Sequence, residues 1–201
     1  MSEADRDKWN LRYSQGGCAP AGAPNALLVE WLPKISPVSL PPRAVDVACG
    51  LGRHALYLAR HDWQVDAVDI SEVALGRLAR TAAAEGLAIT CIQRDLETDP
   101  APAGDPFEAD RYDLAVMMRY TNLPLIGLLA GALRPGGYLI TEAYLKTADV
   151  DTGPRNPSYR VSPGAFREAA TGLEIIDYRE GTVTDRDGRP VALAQLIARR
   201  R

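Results

Sequence analysis

Residues Arg43 to Arg60 read RAVDVACGLGRHALYLAR. The apolar run Ala44 to Ala48, interrupted only by Asp46, predicts a strand. Gly50 and Gly52 break it into a tight turn. Ala55, Leu56, Leu58 and Ala59 then recur at helical spacing, which predicts a helix starting near Gly52. A strand, a glycine turn and a helix in that order open a nucleotide-binding α/β unit.

The chain downstream repeats the pattern. Gln64 to Asp69 predicts a second strand that ends on an acid. Ser71 is placed to cap a helix whose apolar stripe is Ala74, Leu75, Leu78 and Ala82, and Gly86 ends it. Ala88 to Gln93 predicts a third strand, followed by Asp95 and Leu96. Tyr112 to Met117 predicts a fourth, closed by the polar break Arg119 to Asn122. A helix over Leu123 to Leu133 and the turn Arg134-Pro-Gly-Gly137 lead into a fifth strand, Tyr138 to Ala143. Alternating strands and helices imply parallel strands with helices on both faces.

The rhythm then changes. Residues 146–162 form a long loop, and long loops in compact domains carry function or motion. Ser162-Pro163 has the form of a helix start, with the helix running to Ala170. Glu174 to Arg179 and Val191 to Ala198 predict two last strands. The turn material at Asp185 to Gly188 is too short for a parallel crossover, so this pair is antiparallel.

Upstream, residues 3–15 predict a helix edged by Trp9 and Tyr13, which either packs on the sheet rim or lies over the site as a lid. Asn25 is placed to cap a helix from Ala26 to Leu32, and Ile35 to Pro42 is a proline-rich connector. The expectation is one α/β domain over residues 1–201: an N-terminal helical lid and connector (1–42), a cofactor-binding half (43–145), and a substrate loop with C-terminal hairpin (146–201).

Net charge is −3, which disfavours nucleic acid or an anionic membrane as partner. No apolar run approaches the ~20 residues of a membrane helix. The charged N-terminus lacks a signal peptide's apolar core, so a cytoplasmic location is expected. Three cysteines without a CxxC spacing suggest neither a disulfide framework nor zinc. Cys91, inside an apolar run, is expected in the core. His54 and His61 lack a third ligand nearby, so no metal is expected.

Two cofactors fit the glycine turn. A dinucleotide puts a pyrophosphate against it, whereas S-adenosylmethionine presents an ammonium and a sulfonium. Asp46, in the strand just before the turn, disfavours the first and suits the second. The antiparallel last pair agrees, because dinucleotide folds continue with parallel strands. Asp69 lies about 20 residues beyond the glycines, the spacing at which a carboxylate meets ribose hydroxyls in either case. Asp95 is placed for the adenine amine, with Leu96 beside the ring. Arg53 is a candidate for the cofactor carboxylate, or equally for a pair with Asp46 or Asp69. Ala48, Gly50, Gly52, Ile70 and Met118 complete the expected cofactor contacts.

These stretches resemble a known family. DVACGLGRHALYLA, VDAVDIS, RDLE and LRPGGYLITEAY look like a class I S-adenosylmethionine-dependent methyltransferase. With the start KWNLRY, they are similar to the small stand-alone enzymes of the tellurite-resistance and thiopurine type. Cys49 stands before Gly50 as in a CGxGR subgroup. The resemblance implies a Rossmann-like, doubly wound seven-stranded sheet, mostly parallel, whose reversed last strand is inserted between the fifth and sixth.

Methyl transfer from a sulfonium is an in-line displacement in which positioning and electrostatics outweigh proton transfer. No general base is evident, and no catalytic residue is assigned. Tyr13, Arg119, Tyr120, Tyr144, Arg155, Asn156 and Tyr159 are the candidate contacts to a small-molecule acceptor, and the arginines favour an anionic or polar one. A monomer or homodimer is expected. An NAD-dependent oxidoreductase and a non-enzymatic cofactor-binding protein are the alternatives.

Overall fold

The computed structural model describes residues 3–15, 22–97, 106–147, 153–185 and 188–201. Helix α1 (Glu3–Ser14) and helix α2 (Ala26–Trp31), the latter continued by a 3-10 turn, precede the sheet. Strands β1 (Arg43–Val47), β2 (Gln64–Asp69) and β3 (Ile89–Gln93) alternate with α3 (Arg53–Ala59) and α4 (Glu72–Glu85). Strand β4 (Tyr112–Met118), helix α5 (Pro124–Ala132) and strand β5 (Leu133–Leu145) follow. Then come the two-residue β6 (Arg160–Val161), α6 (Ala165–Ala169), β7 (Leu173–Thr184) and β8 (Pro190–Arg200).

The main path of the sheet is β3-β2-β1-β4-β5-β8-β7, and β6 pairs beside β5. All pairings among β1 to β6 are parallel, and β8 runs antiparallel to both β5 and β7. The last strand is thus inserted between the fifth and the edge strand. The strand order reverses between β1 and β4, the place where open α/β sheets leave a crevice at their carboxyl ends.

Alternation along the strands splits the core in two. Val45, Val47, Ala115, Met117 and Leu139 pack on one face with Leu125, Ile126 and Leu129 of α5 and Phe166 of α6. Ala44, Leu114, Val116, Ile140 and Ile197 pack on the other with residues of α2, α3 and α4. Fully burying each Leu or Ile of these faces contributes about 1.5–3 kcal/mol relative to leaving it exposed.

The predicted caps act as such. Asn25 accepts from the Leu27 amide at 2.8 Å, Ser71 from Ala74 at 3.2 Å, and Gly86 ends α4 with φ of 65°. Four details differ from expectation. The segment Arg134–Gly137 belongs to β5 itself, bulged against β4 between Tyr112 and Leu114. An eighth, two-residue strand joins the expected seven, because part of the loop before α6 pairs with Tyr144 and Leu145. Helix α6 begins after Gly164, φ 82°, so Ser162 and Pro163 form the preceding turn. Cys91 is only half-buried, since β3 is an edge strand; Cys18 lies outside the described residues.

Candidate active site

The glycine turn is left-handed at three of five positions, with φ of 54° at Ala48, 55° at Gly50 and 74° at Gly52. A Cβ on Gly50 would lie 2.6 Å from the Tyr13 hydroxyl, and one on Gly52 would lie 2.4 Å from Leu78 Cδ1. Gly52 thus lets α3 start against α4, while Gly50 makes room for the Tyr13 hydroxyl of α1.

The two acids of the turn divide their work. Asp46 alternates onto the α3 face of β1, is 1% exposed, and accepts the Ala55 amide at 3.0 Å. Its other oxygen lies 3.7 Å from His54 Nδ1. Its carboxylate therefore caps α3 from beneath. Asp69 closes β2 and accepts the amides of Gly50 at 2.7 Å and Ser71 at 2.9 Å. Burial pushes its carboxyl above the ordinary value, and these amides work against that. Hydroxyl donors arriving at Asp69 would relieve the same cost, which fits a ribose.

Ile70, Leu96 and Met118 are buried at the ends of β2, β3 and β4. Asp95 is half-buried, and one of its oxygens accepts the Glu97 amide at 2.9 Å. Cys49 is buried and burial raises its thiol well above the ordinary value, so it stays protonated and takes no part as a nucleophile. His54 is buried, whereas His61 is exposed past the end of α3. Among the described residues no group of three or more His, Cys, Asp or Glu is arranged to hold a metal.

Beyond Arg53, a cleft of about 460 Å³ opens between α2, the ends of β4 and β5, and the β7–β8 hairpin. At its base Glu142 is 2% exposed and accepts from Asn25 Nδ2 at 2.6 Å, Arg119 Nε at 2.6 Å and Gln195 Nε2 at 2.7 Å. Arg119 lies with its guanidinium 4.5 Å from the centre of the Tyr144 ring. Burial opposes its charge most strongly, but Glu142, Tyr144 and Asp185 together outweigh burial and raise it above the ordinary value.

The structure thus brings Arg119 and Tyr144 together in one wall. Tyr120 turns elsewhere: its hydroxyl donates to Glu97 at 2.7 Å. Arg155 and Asn156 are exposed, and the Asn156 side chain accepts the Ser158 amide. Tyr159 is 40% exposed, and its hydroxyl accepts from Lys8 Nζ of α1 at 3.2 Å. Helix α1 has no buried residue. It is latched by Asn10, which accepts from Ser71 Oγ at 2.7 Å and the Val73 amide at 3.4 Å. Arg77 donates to the Tyr13 carbonyl at 2.8 Å.

Sequence reasoning passed over Glu142, Gln195 and Asp185. A signal for the first was available: an acid inside the otherwise apolar run of β5 is buried only where donors await it.

Residues 44–137 match a family described as a methyltransferase domain. Hemagglutinin 1 of Eikenella corrodens is 26% identical over 160 residues, 76% of this chain and 52% of that protein. Ribosomal RNA small subunit methyltransferase C of Alcanivorax borkumensis is 31% identical over 105 residues, 49% of this chain and 31% of that protein. The chain therefore spans about half the length of the first and a third of the second. TehB from Haemophilus influenzae superposes with a TM-score of 0.72 at 23% identity, covering 96% of this chain and 67% of TehB. Geranyl diphosphate C-methyltransferase from Streptomyces coelicolor gives 0.71 at 15% identity, covering 99% and 97%. At these identities the likeness is one of fold.

Proposed function

We propose, from the premise that residues 44–137 form a methyltransferase domain in a class I S-adenosylmethionine-dependent fold, that the chain methylates a small-molecule acceptor. The observation that carries this reading is the pairing of two features along one sheet edge. Asp69, buried beside Gly50, offers a ribose site, and a cleft of about 460 Å³ opens past Arg53. That volume is in the range of small-ligand pockets.

S-adenosylmethionine supplies, when bound, a methyl group already activated on a sulfonium. Asp69 would hold its ribose hydroxyls, Asp95 and Leu96 would flank its base, and Gly50 would let it approach the backbone beside the Tyr13 hydroxyl. Arg53, half-buried at the mouth, is suited to a carboxylate. Asp46 contributes from below by fixing the start of α3. The remaining work is orientation of the acceptor, and alignment of that kind is worth up to about 7–11 kcal/mol in favourable systems. The Streptomyces neighbour was solved in complex with geranyl-S-thiolodiphosphate and S-adenosyl-L-homocysteine, and that precedent supports a small acceptor here.

Calorimetry tests the reading. S-adenosylmethionine and S-adenosylhomocysteine should bind with micromolar affinity, and NAD should not bind. Tight NAD binding with none for the other two would overturn it. Transfer of labelled methyl groups, assayed over small molecules and over RNA, then separates a small acceptor from a nucleic acid.

A further inference from the structure

Arg119 stands at the end of β4 with φ of 61°, a left-handed backbone that costs a non-glycine residue energy. Its surroundings over-determine it. Its amide donates to the Glu142 carbonyl and its Nε to the Glu142 carboxylate, both at 2.6 Å, and its guanidinium packs over Tyr144. Gln195 and Asn25 hold Glu142 from the other sides. So the guanidinium is fixed by its Nε in the wall of the cleft, which leaves its two Nη atoms without a bond to Glu142. Nη1 is buried with no hydrogen-bond partner. Nη2 lies 3.5 Å from a carboxylate oxygen of Asp185 at the hairpin tip. The other cations and anions at this mouth are Arg53, Arg179 and Glu30, and Arg179 is engaged by Glu30 and Asp177.

We propose that Arg119 is the acceptor-recognition residue, that it takes a carboxylate of the acceptor, and that Asp185 is a built-in competitor for the same guanidinium edge. This rests on the small-molecule methyltransferase reading. The long ion pair to Asp185 shows which chemical group that edge accepts. An incoming carboxylate that met Nη1 and Nη2 together would gain a two-pronged bond that Asp185 does not make. Glu142 is a positioning residue: its carboxylate accepts from Asn25, Arg119 and Gln195 and so fixes the guanidinium. Val183 and Leu193 line the same cleft and suit an apolar body on the acceptor.

Benzoate and its neutral analogue benzamide serve as probes. Each is titrated by NMR, in chloride-free buffer, into the full chain saturated with S-adenosylhomocysteine. Benzoate should bind at least about ten-fold more tightly than benzamide, as expected for loss of a charge-assisted pair. Asp185→Asn should tighten benzoate about three-fold, the scale of a partly exposed ion pair. Arg119→Lys should weaken it about ten-fold, because a point charge cannot both hold Glu142 and present a fork. The double variant Arg119→Met with Glu142→Gln removes the site without leaving a lone buried carboxylate, and should lose benzoate binding altogether. Equal binding of benzamide, an unchanged Asp185→Asn, or benzoate binding that survives in the double variant would each overturn the proposal. The S-adenosylhomocysteine affinity measured in every sample keeps the two readings apart. Its absence in the wild type sinks the methyltransferase reading, whereas its presence without benzoate binding sinks only the carboxylate site.

Discussion

Asp69 and Asp95 end neighbouring strands, yet their surroundings differ. Asp69 is 6% exposed and fixed by two amides, whereas Asp95 is half-buried and turns one oxygen to the Glu97 amide. A preorganised acceptor contributes more than one that must be ordered on binding. Asp69→Ala should therefore weaken S-adenosylhomocysteine binding by about ten- to a hundred-fold, on the order of a hydrogen bond to a charged group. Asp95→Ala should cost about three-fold or less on the same scale. Calorimetry decides it, and equal losses would mean that the ribose site is misplaced. Gly52 is constrained by shape. Its φ is 74°, and a Cβ there would sit 2.4 Å from Leu78 Cδ1, so Gly52→Ala combines left-handed strain with overpacking. About 2–4 kcal/mol should be lost, read as a lower urea midpoint with unchanged slope.

Helix α1 has no buried residue and is held to the domain largely by polar contacts, with Asn10, Tyr13 and Lys8 reaching α4 and the substrate loop. Such an element opens at a lower free energy than the sheet beneath it. Removing the latch with Asn10→Ala should raise hydrogen exchange across residues 3–14 about ten-fold, as for loss of one or two hydrogen bonds. The midpoint of thermal unfolding should move by less than about 2 °C, because no fully buried side chain lies on α1. Protection of α1 that persists in the variant would show that other contacts hold it. Burial of α1 by S-adenosylhomocysteine would appear as added protection over the same residues. A helix that only packs on the rim would show no such change.

At the scale of the whole molecule, Asp113 ties the proline-rich connector to the sheet. It accepts from the amides of Val38, Ser39 and Arg43 and from Ser39 Oγ, and pairs with Arg134 at 2.9 Å. Burial pushes its carboxyl up, but these donors prevail and hold it below the ordinary 3.8. A depressed carboxyl stabilises the fold above its unfolded value, and that stabilisation is lost as pH falls through the folded value. Asp113→Asn should therefore cost about 3–5 kcal/mol at neutral pH, the range for breaking one side of a buried pair. The gap from wild type should narrow once pH falls below 3.8, in urea titrations at a series of pH values. A gap that is flat with pH would assign the loss to shape and not to charge.

The alternation of apolar residues in β1, β2 and β4, the glycine pair, and the caps at Asn25 and Ser71 were legible in the sequence, because each is a local requirement of backbone geometry. The antiparallel hairpin was legible too, since its link is too short for a crossover. The insertion of β8 between β5 and β7 was implied only by the family resemblance: strand order depends on which apolar edges meet, and no local signal encodes it. Asp46 shows the same limit within the site. Its place before the turn was plain, but only the packed α3 decided that its carboxylate faces the helix. Arg119 was visible as a polar break after an apolar strand. What made it a candidate recognition residue is Glu142, 23 positions on, with Gln195 and Asn25 from distant segments. Pairings of that kind arise from the fold, because a buried charge is tolerated only where tertiary structure delivers its partners.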